Sequence, residues 1–152
     1  MAMHLEETIV HYFKANSSGI AAAYIFGSQA SGKCVPSSDV DIAVLFDRSD
    51  PVFIHSRMDE ILLQLPKLLR KDVHPVAMNS ASEALLKQIF GRGRCLLVND
   101  SRKLAEFKMI AYARIADFNY YLKKMQAGLI RRVLEAAPGA CLSTCTLPSK
   151  IA

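Results

Sequence analysis

The sequence has no long apolar run. Its longest, Ile20–Phe26, falls far below the roughly 18 residues that span a bilayer, so no transmembrane segment is expected. Met1–Glu7 carries no basic stretch leading into an apolar one, so no signal peptide is expected and the cytoplasm is the expected location. Paired CxxC units are missing. Cys34, Cys95, Cys141 and Cys145 stand at irregular spacings, which favours reduced thiols over a zinc ribbon or a disulfide framework. No Walker-type GxxxxGK(S/T) occurs, because the residues after Gly32 do not complete it. His4, His11, His55 and His74 have no Ser-His-Asp or Cys-His context, and no internal repeat is present. A clustered basic stripe with interleaved aromatics is also absent, which argues against direct nucleic-acid binding.

What remains is an ordinary globular composition. Hydrophobic residues make up 51% and charged residues 22% of 152, enough for one domain with a real core and too apolar for bulk disorder. Nineteen Lys and Arg against 14 Asp and Glu leave a net charge of +5, a mild lean toward anionic partners.

Hydrophobic spacing divides the chain into elements. Leu5, Ile9, Val10 and Phe13 share one face of a helix over Leu5–Ala15, which Asn16-Ser17-Ser18-Gly19 ends. Ile20–Phe26 reads as a buried strand closed by the turn Gly27-Ser28, and Gln29–Ser38 as a loop. A second strand covers Asp39–Phe46. Ser49-Asp50-Pro51 opens a helix to about Leu65 with Phe53, Met58, Ile61, Leu62 and Leu65 buried, and Pro66 ends or kinks it. Val73–Met78 is a third strand, which Pro75 assigns to an edge or an irregular ladder. Ser80-Ala81-Ser82-Glu83 reads as a capping box for a helix over Glu83–Phe90 that stops at Gly91, and Arg94–Val98 as a fourth strand. Asn99-Asp100-Ser101 caps a long last helix to about Glu135, striped by Leu104, Phe107, Ala111, Ile115, Phe118, Leu122, Met125 and Leu129. At ~1.5 Å per residue it would measure about 50 Å. A small domain cannot cover that length, so its distal half around Tyr120, Tyr121 and Met125 is expected to pack on another chain. The organisation read from this pattern is a domain over 1–100, a long C-terminal helix over 101–135 and a disordered tail over 136–152.

The chemistry lies in Gly27-Ser28, ten intervening residues, and Asp39-Val40-Asp41. Side chains alternate along a strand, so Asp39, Asp41, Ala43 and Leu45 share one face while Val40, Ile42, Val44 and Phe46 take the other. Two carboxylates projected together raise one another's pKa, and a hard divalent cation such as Mg²⁺ is the simplest compensation. Gly27 permits a sharp turn close to a ligand, and Ser28 offers a hydroxyl and backbone N–H groups to phosphate. The combination describes a triphosphate cradle facing a metal pair that clamps both oxygens of an in-line displacement.

The segment GSQASGKCVPSSDVD resembles the GSx10DxD signature of the DNA polymerase β-type nucleotidyltransferase superfamily, and the short chain resembles its minimal members, the MNT proteins. The resemblance covers roughly Leu5–Val98. It implies an α/β (α+β) fold, a small mixed β-sheet flanked by helices with a long C-terminal helix. It implies that Gly27 and Ser28 bind the nucleotide, that Asp39 and Asp41 hold Mg²⁺ (two ions), and that ATP is the substrate. The best-described MNT proteins are antitoxins that transfer AMP to a tyrosine of a HEPN ribonuclease toxin, so a hetero-oligomer with such a toxin is implied. A third carboxylate belongs on a later strand, often reading VDLVDLN. Against Val73-His74-Pro75-Val76-Ala77-Met78-Asn79 it falls on His74, with Asp72 two residues earlier on the same face. Asp72 by a shift of register, His74 as ligand or base, and a degraded third position all stay open. Lys33, Arg92 and Arg94 read as solvated, and Ser37 and Ser38 as backbone supports for Asp39. The rival functions are an antitoxin acting by binding alone and a small-molecule, antibiotic-type nucleotidyltransferase.

Overall fold

The computed structural model describes residues 2–33 and 35–136, with side chains from residue 4 onward. The element order is α1 (Ala2–Ala15), β1 (Ile20–Phe26), β2 (Val40–Phe46), α2 (Pro51–Leu69), β3 (Val73–Ala77), a 3-10 turn (Met78–Ser80), α3 (Glu83–Arg92), β4 (Arg94–Val98) and α4 (Ser101–Ala136). The strands form one sheet in the order β3-β2-β1-β4. β1 is antiparallel to both β2 and β4, while β2 and β3 run parallel through the α2 crossover. The expected mixed sheet flanked by helices is thus observed, and Pro75 lies on the edge strand, where its missing N–H costs no ladder bond.

The sheet is covered on both faces. Ile9 and Phe13 of α1 and Ile61 and Leu65 of α2 pack with Ile25, Val40, Ile42, Val44 and Phe46. On the other face Leu86 and Ile89 of α3 and Leu104, Ala111 and Ile115 of α4 pack with Tyr24, Phe26, Ala43 and Leu45. In β1, Ala21 and Ala22 both belong to the second cluster, because the register slips between Ile20 and Ala22. The extra residue of that bulge turns the remaining side chains over. Two compact units are distinguished among the described residues, one up to Ile115 and one from Ala116 onward. In the second unit Tyr120, Tyr121, Met125, Leu129 and Ile130 of α4 are exposed.

Several local expectations need correction. Pro66 neither ends α2 nor stops it short: the helix continues to Leu69 with Pro66 inside it. One lost i→i−4 bond in the last turn is offset by the burial of Leu65. Leu62 is exposed, not buried. α3 is capped by Ser82, whose hydroxyl accepts from the Leu85 N–H, so the Ser80–Glu83 box is not formed. The helix also runs through Gly91 to Arg92. Glu83 accepts from the Arg114 guanidinium instead of from a cap, and its backbone hydrogen bond, with Arg114, holds its carboxyl below the ordinary range. Cys95 is a free, exposed cysteine, whereas Cys34, Cys141, Cys145 and the tail beyond Ala136 lie outside the described residues.

α2 ends at Arg70, which adopts the left-handed conformation with φ 52° and is the one non-glycine residue to do so among the described residues. That conformation costs an L-residue about 1–2 kcal/mol. At the far end of β2 the Asn79 side chain stands in for a strand: its Oδ1 accepts from the Phe46 N–H at 2.9 Å and its Nδ2 donates to the Phe46 carbonyl at 3.2 Å. Asn79→Ala would orphan both groups and is expected to cost about 2 kcal/mol in urea denaturation. A loss below ~0.5 kcal/mol would mean that water replaces the amide.

Candidate active site

The site forms where β1 ends and β2 begins. Phe26 pairs with Asp41 across the antiparallel ladder, so the next residue, Gly27, turns directly beside the Asp41 side chain. Gly27 has φ +70°, and a Cβ built there would fall on the Asp41 carboxylate. Glycine is therefore required twice, by backbone conformation and by space. The Gly27 carbonyl accepts from the Ser31 N–H at 3.3 Å and from its hydroxyl at 3.2 Å, which winds the turn tightly. The Ser28 hydroxyl makes no hydrogen bond among the described residues, so it remains free for a phosphate.

Asp39 and Asp41 lie on one face of the strand, as alternation requires, while Val40 and Ile42 are fully buried on the other. Burial pushes the Asp41 carboxyl above its ordinary value; His74 opposes the shift and Asp39 reinforces it. Asp39 is exposed, and its Oδ2 lies 3.2 Å from His74 Nε2. His74 is the parallel-ladder partner of Asp41, so the sheet brings the residue at the degenerate third position to the carboxylates. Asp72 stands one step before β3, and its carbonyl accepts from the Val40 N–H at 2.9 Å. Strand alternation does not fix its side chain on the face of His74, because β3 begins only at Val73.

Among the described residues no three His, Cys, Asp or Glu side chains form a metal-binding group by themselves. Two carboxylates with an open flank suit Mg²⁺, which is ordinarily held by one or two carboxylates, substrate phosphates and water. The all-oxygen character of Asp39 and Asp41 fits that ion.

A supporting layer escaped the sequence pattern. Gln29 is the one buried polar residue among the described residues, and its Nε2 donates to the Ser38 carbonyl at 3.5 Å, tying the start of the loop to its end. Arg94 is not simply solvated: it pairs with Glu6 and donates to the Gln29 carbonyl at 3.3 Å. Ser38 supports the loop, not Asp39 directly, since its hydroxyl accepts from the Val35 N–H at 2.9 Å. A polar side chain enclosed between a glycine turn and a carboxylate strand was the available signal, but Arg94, which bonds the Gln29 carbonyl, comes from β4 and is held by Glu6 of α1, both remote in the chain.

Residues 7–102 match the family described as Polymerase beta, Nucleotidyltransferase. The Protein adenylyltransferase MntA of Shewanella oneidensis is 33% identical over 91 residues, covering 60% of this chain and 63% of that relative. The match thus spans less than two thirds of the relative's length. A crystal structure described as a toxin–antitoxin with AMP-PNP superposes with a TM-score of 0.63 at 28% identity, over 85% of this chain and 98% of that one. A complex described as tri-AMPylated Shewanella oneidensis HEPN toxin with MNT antitoxin superposes with a TM-score of 0.60 at 26% identity, over 88% of this chain and 99% of that one.

Proposed function

Because this chain belongs to the polymerase β nucleotidyltransferase family, we propose that it is an Mg²⁺-dependent protein adenylyltransferase, an antitoxin that moves AMP from ATP to a tyrosine of a cognate HEPN ribonuclease toxin and so neutralises it. The observation that carries the chemistry is the packing of the Gly27 turn onto Asp41, which supports a phosphate-binding turn beside a carboxylate pair where the inner strands β1 and β2 meet. The acceptor class is supported by the adenylyltransferase name of the 33%-identical relative and by the AMPylated toxin in the solved complex. A toxin described as tri-AMPylated further supports more than one transfer per toxin. No helix among the described residues is long and apolar enough to cross a membrane, in keeping with action in the cytoplasm. The exposed distal face of α4, with Tyr120, Tyr121 and Met125, fits a chain that works as a hetero-oligomer with its toxin.

In this reading Gly27 and Ser28 hold the triphosphate through backbone N–H groups and the Ser28 hydroxyl. Asp39 and Asp41 would hold two Mg²⁺ ions, which would supply Lewis-acid stabilisation of the charge that develops in the displacement. Asp72 fills the third position, with His74 as its alternative. The 3.2 Å pair between His74 and Asp39 favours a second reading, an antitoxin that acts by contact alone because a neutral or cationic ring replaces a carboxylate. Intact-mass spectrometry of the co-expressed toxin separates the two. The expected result is a mass gain of one AMP or its multiples, abolished when purified components are mixed with ATP and EDTA. A stable complex with no gain would leave contact alone. Asp72→Asn and His74→Gln in the same assay assign the third position to whichever costs more than about tenfold in rate.

A further inference from the structure

Three successive carbonyls of the Gly27 turn are held from inside the fold. The Gly27 carbonyl accepts from the Ser31 N–H and hydroxyl, and the Ser28 carbonyl accepts from the same hydroxyl at 3.3 Å. The Gln29 carbonyl accepts from Arg94 at 3.3 Å. A trans peptide is planar, so each held carbonyl points the N–H of the following residue the opposite way, and no cis peptide occurs among the described residues. The N–H groups aimed in this manner belong to Ser28, Gln29 and Ala30. None of them makes a hydrogen bond among the described residues. Successive open N–H groups form a concavity that suits an anion.

Ser31, a member of the turn itself, sets two of the three. The third depends on a residue 65 positions away. Arg94 begins β4 opposite Ile25 in the β1 ladder. A Cβ at Gly93 would strike the Ile89 carbonyl and crowd the Ile25 carbonyl, so the chain enters β4 pressed against the end of β1 and brings Arg94 beside the turn. The Arg94 Nη2 faces two acceptors, the Glu6 carboxylate of α1 and the Gln29 carbonyl. Its two hydrogens suffice for one each. Arg94 is half-exposed, and an ion pair so open to water adds little stability. Its consequence is geometric. Glu6 holds the guanidinium, the guanidinium holds the carbonyl, and the rigid peptide carries that hold to the Ala30 N–H.

We propose that Arg94, held by Glu6, is a positioning residue for the nucleotide: it sets the Ala30 N–H as a third donor to the triphosphate, beside those of Ser28 and Gln29. The proposal rests on the nucleotide-binding role read above for Gly27 and Ser28. Arg94 bonds no phosphate and acts only through the Gln29–Ala30 peptide. Without its guanidinium that peptide is free to rotate, whereas Asp39 and Asp41, on the far side of the turn, keep their places. A contact made equally to bound substrate and transition state sets KM and leaves kcat unchanged, so the loss falls on KM for ATP.

Three variants of the full chain test this. Arg94→Met keeps the aliphatic stem and removes the donor, and Arg94→Lys keeps the charge and a donor. Glu6→Arg/Arg94→Glu keeps an ion pair and the net charge but sets an acceptor against the Gln29 carbonyl. Calorimetry with Mg²⁺ and ATP gives Kd, and AMP transfer to the purified cognate HEPN toxin gives KM and kcat. Arg94→Met and the exchanged pair are expected to raise Kd and KM for ATP at least tenfold, about 1.4 kcal/mol, with kcat within threefold. Arg94→Lys should recover most of that loss, and all three should melt close to wild type because Arg94 is half-exposed. Wild-type ATP affinity in the exchanged pair overturns the proposal, since Arg94 would then only staple α1 to β4 or supply charge. A fall in kcat at unchanged KM, or equal losses in Arg94→Lys and Arg94→Met, also overturns it. Wild-type protein that binds no ATP overturns the nucleotide role of the turn and this proposal with it. ATP affinity equal in wild type and every variant overturns the role of Arg94 alone.

Discussion

Asp39→Ala combined with Asp41→Ala is expected to lower AMP transfer at least a thousandfold and to leave the chain folded. The loss follows from the chemistry: a single preorganised electrostatic contact to a developing charge is worth about 10²–10³ in rate, and this pair would hold every metal ion at the site. Folding should survive because Asp39 is exposed and the fold is carried by the opposite strand face of Val40, Ile42, Val44 and Phe46. Asp41 makes the stability prediction sharper. Its folded-state value is raised above the ordinary 3.8, first by burial. A raised folded value means that the neutral acid is preferred in the fold. The associated stability is present below pH 3.8 and is lost as pH rises through the folded value. At neutral pH the ionised carboxylate is therefore a burden, and Asp41→Asn should melt higher than wild type, with the advantage fading in acid. Thermal melts across pH check the sign, and Mg²⁺ with ATP should stabilise wild type and not the variant. Neutralisation of the toxin that survives the double substitution, with the melt intact, would sink the enzymatic reading in favour of contact alone.

The sequence disclosed those parts of the molecule where one local rule acts without competition. β1 was bounded by an apolar run and a glycine turn, and Ile20–Phe26 is the observed strand. The alternation of Asp39–Phe46 placed both carboxylates on one face, because period-two geometry leaves no other choice once Val40 and Ile42 are buried. Pro75 marked an edge strand for the same reason, a missing donor. Errors arose where tertiary burial outweighed a local rule. Pro66 was expected to end or kink α2, and it does not end it: the helix continues to Leu69, with Leu65 and Ile61 anchored in the core. Two serines competed to cap α3, and the hydroxyl nearer the helix start prevailed. Arg94 looked solvated because its partners, Glu6 and Gln29, lie far off in sequence and meet it only through the order β2-β1-β4.

Gly27→Ala is expected to cost at least a hundredfold in AMP transfer, and comparison with Gly32→Ala isolates the cause. Both glycines have φ +70°, so alanine at either carries the same left-handed penalty of about 1–2 kcal/mol. They differ in what the new methyl group meets. At Gly32 nothing lies within 4 Å, whereas at Gly27 the methyl would fall on the Asp41 carboxylate. Phe26 and Asp41 are ladder partners, so the backbone cannot slide apart without breaking the pairing that positions Asp41. Relief must come from rotating the carboxylate away or from unwinding the turn held by Ser31 on the Gly27 carbonyl. On the proposed roles the first would remove a metal ligand and the second the phosphate contacts, so either route would disable the site. Gly32→Ala should accordingly lose stability and keep transfer within severalfold. Equal melting losses with unequal activity losses would tie the glycine of the turn to the carboxylate beside it. Equal activity losses in the two variants would mean that loop strain alone governs the rate, and that Gly27 serves the turn without serving Asp41.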